Sequence, residues 1–406
     1  MAREGGLIAV TAIEELFAPL HQPEFLERYW SKDFLFCKQG AVTFQKLFDW
    51  KSLNKALTEH RIAYPRVRLM RSGVMIPPEE FTTRRHTIRG QEKTEFLNVP
   101  AINSHLVNGA SLIVNAVEEL DSSLKAACRK LSSAFLGHVS ANAYASFGSD
   151  AGFPVHWDDH EVIVIQLTGQ KRWRVFEPAR KHPLADDVEG NTQPPSNKIW
   201  EGILQPGDSL YIPRGYWHEV VPVGEPTLHL SLSVIPPTSI DWLSWIVEKA
   251  AVFEELRKNI PMFADEQSLF AFQKSTKEIF TRLIENETLQ DYLESRKGRL
   301  SPRPAFSLPF AVSEGTISAS TMVRLSAFCY YSVEDYHGEN KFLLGALDKN
   351  WFFDNSAKPI LDELLTLNPC SVESLLKKIS INESELIEFL QELLVEGLLE
   401  VVDAGA

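Results

Sequence analysis

The sequence predicts an α+β protein built around an antiparallel sandwich or barrel, and three observations predict it. From Val139 to Ile235, short apolar runs (VIVIQL at 162–167, SLYIP at 209–213, LHLSLSVI at 228–235) are separated by turn residues such as TGQ at 168–170 and QPGD at 205–208. Many short strands with turn signals between them mark one antiparallel body. Beyond Pro236 and Pro237 the period changes, and Ser239 to about Leu300 reads as helical. From Met322 the chain returns to strand-like stretches, then short helices, then a last strand.

Taken in order, the first elements are mixed. Pro23–Trp30 predicts a short helix, Phe34–Lys38 a strand and Trp50–His60 a second helix. Val67–Arg71 alternates apolar and basic residues, which predicts a strand, and Pro77 and Pro78 mark a loop. Ala110–Val117 reads as a buried strand and Leu120–Phe135 as an amphipathic helix. Within the barrel, VIVIQL and KRWRVF (171–176) flank TGQ as a hairpin. After it come a helix from Asp241, a long helical stretch from Asp265 to Arg296 and a Pro-rich linker from Ser301 to Pro309. Met322–Tyr331 and Lys341–Phe353 are strand-like. Ile360–Leu367, Val372–Ile379 and Glu383–Glu396 read as short helices, and Leu398–Val402 closes the chain as a strand. That order suggests a winged-helix-like module.

Composition limits the function. The chain has 406 residues, 44% hydrophobic and 23% charged, which allows roughly two to four globular domains. Its net charge of −13 argues against a broad nucleic-acid-binding face. From Ile360 onward, ten Asp and Glu stand against two Lys, a net of −8. Phosphate contact needs the opposite sign, so the last module is expected to pack or to contact protein and not DNA. Cys37, Cys128, Cys329 and Cys370 are scattered without a CxxC pair, as reduced thiols of a cytosolic protein would be. No stretch reads as a signal peptide or a membrane span, so the expected location is the cytoplasm.

One constellation carries chemistry. His156-Trp157-Asp158 is followed later in the barrel region by His218, at the end of PGDSLYIPRGYWH. Residues i and i+2 of a strand share a face, so His156 and Asp158 could reach one metal from a single strand, with His218 returning from a neighbour. Two imidazoles and one carboxylate leave open positions on an octahedral ion, the facial triad of non-haem iron(II) oxygenases. His160 falls on the same predicted face; it could be a fourth ligand, but a role behind the ligands or a partly exposed position is expected. His229 alternates with Ser231 and Ser233 on one face of the last strand, and lies too late in the chain to be expected to displace His218. A 2-oxoglutarate-dependent enzyme also needs a cation for the distal carboxylate of that cosubstrate. Lys171 and Arg172 follow the hairpin turn, and strand parity across the turn does not choose between them. Asn142, Ser231 and Ser233 could complete the carboxylate site.

The stretches NAYASFGSDAGFPVHWDDHEVIVIQLTGQKRWRVFEP (142–178), QPGDSLYIPRGYWHEV (205–220) and LHLSLS (228–233), with HLVNGASLIVNAVEEL (105–120) upstream, resemble the JmjC ribosomal oxygenases. That family includes a bacterial ribosomal-protein arginine hydroxylase and the human nucleolar histidine hydroxylases. The resemblance implies a double-stranded β-helix (jelly-roll, cupin-type) catalytic domain over 1–238 with a mixed N-terminal extension. It further implies a helical dimerisation domain over 239–305 and a winged-helix-like domain over 306–406. It implies Fe(II) held by His156, Asp158 and His218, and 2-oxoglutarate contacted by Lys171, Asn142 and Ser231 or Ser233. Tyr144 would line the pocket, and the substrate would be a ribosomal protein. Lys171 is like the Lys of the histidine hydroxylases, where the bacterial arginine hydroxylase has Arg, so the target side chain, Arg or His, stays open. Trp242, Trp245, Ile246, Val252, Phe253 and Leu256 recur at helical spacing and form an apolar face. The resemblance makes that face a homodimer interface; packing against the chain's own core is the alternative. Rival functions are a JmjC lysine demethylase on the same core, a metal-binding cupin without oxygenase activity, and a transcription regulator, which the acidic C-terminus disfavours.

Overall fold

The structure is a computed structural model. It describes residues 12–86, 93–178, 180–187, 195–297, 300, 304–313, 317–326, 331–336, 340–347, 349–378 and 382–402. The chain divides into two compact units, Met1–Pro236 and Pro237–Ala406.

The first unit carries thirteen strands among its described residues: β1 (Leu35–Cys37), β2 (Val67–Arg71), β3 (Val74–Met75), β4 (Thr82–His86), β5 (Lys93–Leu97), β6 (Ser111–Val114), β7 (His138–Ser146), β8 (Glu161–Thr168), β9 (Lys171–Pro178), β10 (Lys198–Leu204), β11 (Ser209–Ile212), β12 (Tyr216–Pro222) and β13 (Thr227–Ile235). Eight form one antiparallel sheet in the order β1-β11-β8-β13-β7-β6-β2-β3, and three form a second in the order β10-β9-β12. Val162, Val164, Leu210 and Ile212 of the large sheet pack with Trp173, Val175 and Leu204 of the small one, which closes the sandwich. Ile163, Ile165 and Leu167 point the other way, into a core with Phe17, Phe25, Phe44 and Leu131 from the helical cover. β8 is buried on both faces, so its sequence is a continuous apolar run and not an alternation.

Local chemistry sets the ends of these elements. Helix Ser122–Phe135 begins two residues later than its apolar pattern, because Asp121 caps it by accepting from Leu124 N. The β8–β9 hairpin turns at Gly169, whose φ is +63° and where a Cβ would lie 2.3 Å from Pro226 O. Only glycine meets both demands. The β4–β5 hairpin has no counterpart in the sequence reading.

In the second unit, helices Ser239–Ala250, Glu266–Asn286 and Leu289–Lys297 share a core of Trp245, Ile246, Ile279, Leu283 and Tyr292. The long helical stretch expected from Asp265 to Arg296 is thus two helices. Thr288 and Asp291 bond reciprocally and start the second one anew. Trp242, Phe253 and Leu256 also lean on this core. Of the six residues expected to form an apolar face, five therefore pack within the unit, and Val252 stays exposed. A different set, Ile240, Leu243 and Val247, is exposed on helix Ser239–Ala250, and Phe263 beyond it is 99% exposed.

The rest of the unit holds β14 (Met322–Leu325), β15 (Ser332–Tyr336), β16 (Lys341–Ala346), β17 (Lys349–Asp354), β18 (Cys370–Ser371) and β19 (Leu399–Val401). They form two three-stranded sheets, β18-β14-β19 and β15-β16-β17. The expected strand Lys341–Phe353 is a hairpin that reverses near Leu347. Helices Lys358–Leu364, Val372–Lys378 and Glu383–Val395 pack Leu361, Leu375, Leu390 and Leu394 beneath them.

Candidate metal centre

His156, Asp158 and His218 come together at one end of the barrel, with one donor atom from each lying within 4.8 Å of the others. His218 belongs to β12. His156 meets it in an isolated antiparallel bridge: His156 N donates to His218 O at 3.1 Å and His218 N to His156 O at 2.8 Å. The expectation that His156 and Asp158 share one strand is not met. Asp158 lies in irregular chain ahead of β8, because its carbonyl accepts from Gly215 N at 2.8 Å and ties this segment to a turn instead of a ladder. The carboxylate still converges, with Asp158 Oδ2 3.5 Å from His218 Nε2.

The imidazoles are held in a ligating form. His156 Nδ1 lies 2.9 Å from Pro154 O and His218 Nδ1 3.2 Å from Tyr216 O. A carbonyl only accepts, so each Nδ1 carries the proton and each Nε2 presents its lone pair. Burial, reinforced by the neighbouring His156, pushes His218 down to about 4, so it is neutral at physiological pH, as a metal ligand must be. This donor set fits a divalent metal with open positions. His160 stands outside it, because its Nδ1 bonds Asp159 Oδ1 at 2.8 Å.

The ambiguity at the hairpin resolves in favour of Lys171. Its side chain faces the interior, is 3% exposed and donates to Ser146 Oγ at 3.1 Å. Arg172 turns outward toward Glu201 at 3.7 Å. Burial lowers Lys171 to about 7. On the adjacent strands β7 and β13, Asn142 pairs in register with Ser231, Tyr144 with His229 and Ser140 with Ser233. Asn142, Tyr144, Ser231 and Ser233 therefore share one face, with Ser231 nearer the Lys171 end. Asn142 Oδ1 is taken by Ala116 N at 3.0 Å, which leaves its amide N–H groups free of that bond. Burial pushes the Tyr144 phenol up to about 12.

Two residues of this interior had no role assigned from the sequence. His229 is 2% exposed and stacks on Tyr144 at 4.9 Å and 3°, and Trp173 stands edge-on to it at 5.6 Å. The available signal was the alternation His229, Ser231, Ser233, which assigns all three to one face.

The JmjC domain family matches residues 114–242, which contain every one of these side chains. That stretch is similar to a JmjC domain. Over 258 residues it is 27% identical to the "Bifunctional lysine-specific demethylase and histidyl-hydroxylase NO66" of Drosophila pseudoobscura pseudoobscura, covering 62% of this chain and 26% of that protein. Over 326 residues it is 26% identical to "Ribosomal oxygenase 2" of Rattus norvegicus, covering 75% of this chain and 66% of that one. The chain thus spans about a quarter of the length of the fly relative. The structure of the Escherichia coli ribosomal oxygenase YcfD in complex with cobalt and 2-oxoglutarate superposes with a TM-score of 0.55 at 18% identity, covering 95% of this chain and 99% of that one. That likeness is one of fold.

Proposed function

We propose that this JmjC protein is an Fe(II)- and 2-oxoglutarate-dependent oxygenase that hydroxylates a side chain, Arg or His, of a ribosomal protein. The single observation that carries it is one donor atom from each of two imidazoles and one carboxylate converging within 4.8 Å, in a barrel whose interior also buries a lysine. The bound metal and cosubstrate supply the oxidising chemistry, in which dioxygen converts 2-oxoglutarate to succinate and carbon dioxide while one oxygen enters a substrate C–H bond. The chain supplies the rest. His156, Asp158 and His218 would hold the ion, and three protein ligands would leave it further positions for cosubstrate. Lys171 pairs with the distal carboxylate, aided by Asn142 and by Ser231 or Ser233. Val164, Val175 and Leu210 wall the interior and exclude water, which strengthens each charge interaction inside. Tyr144 lines the pocket on the substrate side.

The names of the relatives, ribosomal oxygenase and histidyl-hydroxylase, support the substrate class and weigh toward histidine. The same names favour a second activity, lysine demethylation. Succinate release measured with ribosomal-protein peptides tests both. A peptide gaining one oxygen on His or Arg supports hydroxylation, a methylated lysine losing its methyl group supports demethylation, and no turnover with any of them removes the oxygenase.

In the same proposal, the catalytic domain spans 1–238, the segment 239–305 dimerises and 306–406 is a winged-helix-like domain that does not bind DNA. The protein works as a cytoplasmic homodimer. Exposed Ile240, Leu243, Val247 and Phe263 supply apolar surface for such an interface.

A further inference from the structure

Strands β8, β9 and β13 come together around Lys171. Four buried side-chain atoms on these strands have no hydrogen-bond partner among the described residues: Gln166 Oε1, Thr168 Oγ1, Trp173 Nε1 and His229 Nδ1. Buried polar atoms are paired in nearly all folded proteins, so the two exceptions whose rings meet edge-on near the Lys171 ammonium, Trp173 Nε1 and His229 Nδ1, mark a binding place for a polar group. Its polarity identifies that group. Lys171 has three N–H donors, of which Ser146 takes one. The indole of Trp173 only donates, and His229 adds a further ring N–H. Among the described residues no carboxylate pairs with Lys171, and burial alone accounts for its lowered pKa. The unpaired groups tied to Lys171, the Trp173 indole and the His229 ring, can donate as the ammonium does, so the fitting partner there is an anion; Gln166 Oε1, an acceptor, takes no part in it.

His229 is also fixed in place. It lies flat on Tyr144 and edge-on to Trp173, so turning its ring out of the pocket would break both contacts. Burial and the nearby charge of Lys171 keep it unprotonated. A lone ammonium is a point charge that binds a carboxylate without orienting it. A planar N–H donor locked between two rings supplies the missing direction.

We infer that His229 is a further cosubstrate-binding residue, whose ring N–H donates to the distal carboxylate of 2-oxoglutarate beside Lys171; this rests on the oxygenase activity proposed above. Calorimetric titration of the full chain loaded with Mn(II) tests it, with 2-oxoglutarate in one arm and 2-oxobutyrate, which lacks the distal carboxylate, in the other. Loss of a hydrogen bond to a charged group should make His229→Phe bind 2-oxoglutarate about 10–100-fold more weakly. Its affinities for Mn(II) and 2-oxobutyrate should not change. His229→Asn, which keeps an N–H near the Nδ1 position, should recover most of the loss. Native-like 2-oxoglutarate binding by His229→Phe, or equal losses for both keto acids, would overturn the inference while leaving the oxygenase intact. No 2-oxoglutarate binding by the native Mn(II)-loaded chain would overturn both. If His229→Phe does not fold, imidazole NMR of the native chain decides: 2-oxoglutarate should move the His229 ring-proton resonance downfield, and an unmoved resonance rejects the contact.

Discussion

The barrel of the first unit buries charge, and the helices of the second unit expose hydrocarbon. Lys171 lies inside the barrel at under a tenth of its full exposure, whereas Leu243, Val247 and Phe263 face outward. Both arrangements are unfavourable in the isolated chain, the first through lost hydration of a charge and the second through apolar surface left in water. Each becomes favourable when a complementary partner binds: an anion for the lysine, another apolar surface for the helices. The difference teaches that unfavourable placement is local and chemically specific. The barrel asks for a small polar ligand, and the helical face asks for a macromolecular one.

The comparison can be broken most severely at the metal. Asp158→Ala should abolish iron binding, read as metal per chain by elemental analysis, while the thermal transition barely moves, because the apolar core is formed without the ion. Unchanged iron content would remove the triad.

Next in size is the buried charge itself. Lys171→Met should weaken 2-oxoglutarate binding by about 2–4 kcal/mol, since it removes one member of a buried pair. The same substitution should raise the melting temperature of the ligand-free protein, because an unpaired buried ammonium is gone. A variant that loses both affinity and stability would mean that Lys171 holds the fold and not the ligand.

The helical face comes third. Leu243→Asp should shift sedimentation from dimer toward monomer without changing 2-oxoglutarate affinity. A native chain that already sediments as a monomer of about 46 kDa at micromolar concentration would rule out the dimer.

A smaller effect follows from pH. Burial lowers Lys171 from 10.5 to about 7. Between those values the unfolded chain carries a proton that the folded chain lacks, so this group makes stability rise with pH across that window; below it both states are protonated. An arriving carboxylate draws the proton back. At pH 8, 2-oxoglutarate binding should therefore take up protons, seen as a buffer-dependent heat in calorimetry, and affinity should fall as pH rises. A heat independent of buffer would contradict this. The smallest expected effect is a modest loss of turnover with added salt, from attraction between a chain of net charge −13 and basic ribosomal proteins. A flat salt profile would dismiss that attraction.

The chemistry of the site was more legible in the sequence than its geometry. His156, Asp158 and His218 could be chosen because few residue types bind metals, and a barrel was evident from its runs and turns. The path of the backbone through them was not, since the bond from Gly215 N to Asp158 O comes from a turn remote in sequence. Lys171 could not be separated from Arg172 because a glycine turn resets strand parity. His229 was assigned to the correct face, but depth along a strand is invisible to a period of two. On the helix that starts at Ser239, periodicity showed apolar residues without showing what covers them. Trp245 and Ile246 were used internally, and the exposed face fell to Ile240, Leu243 and Val247. The winged-helix-like order was read from element succession, and its strands emerged as two separate small sheets.

The paired amide bonds between His156 and His218 have a consequence for how the ion is acquired. Two donors distant in sequence are clasped by main chain, so their bite is fixed by backbone geometry and not by the ion. Much of the entropy of bringing them together is already spent when the barrel folds. A metal bound there would enter a rigid bidentate chelator, with Asp158 as its third arm. Exchange of one divalent ion for another should leave the spacing of the two imidazoles unaltered, so discrimination among metals falls to the carboxylate and to whatever occupies the open face.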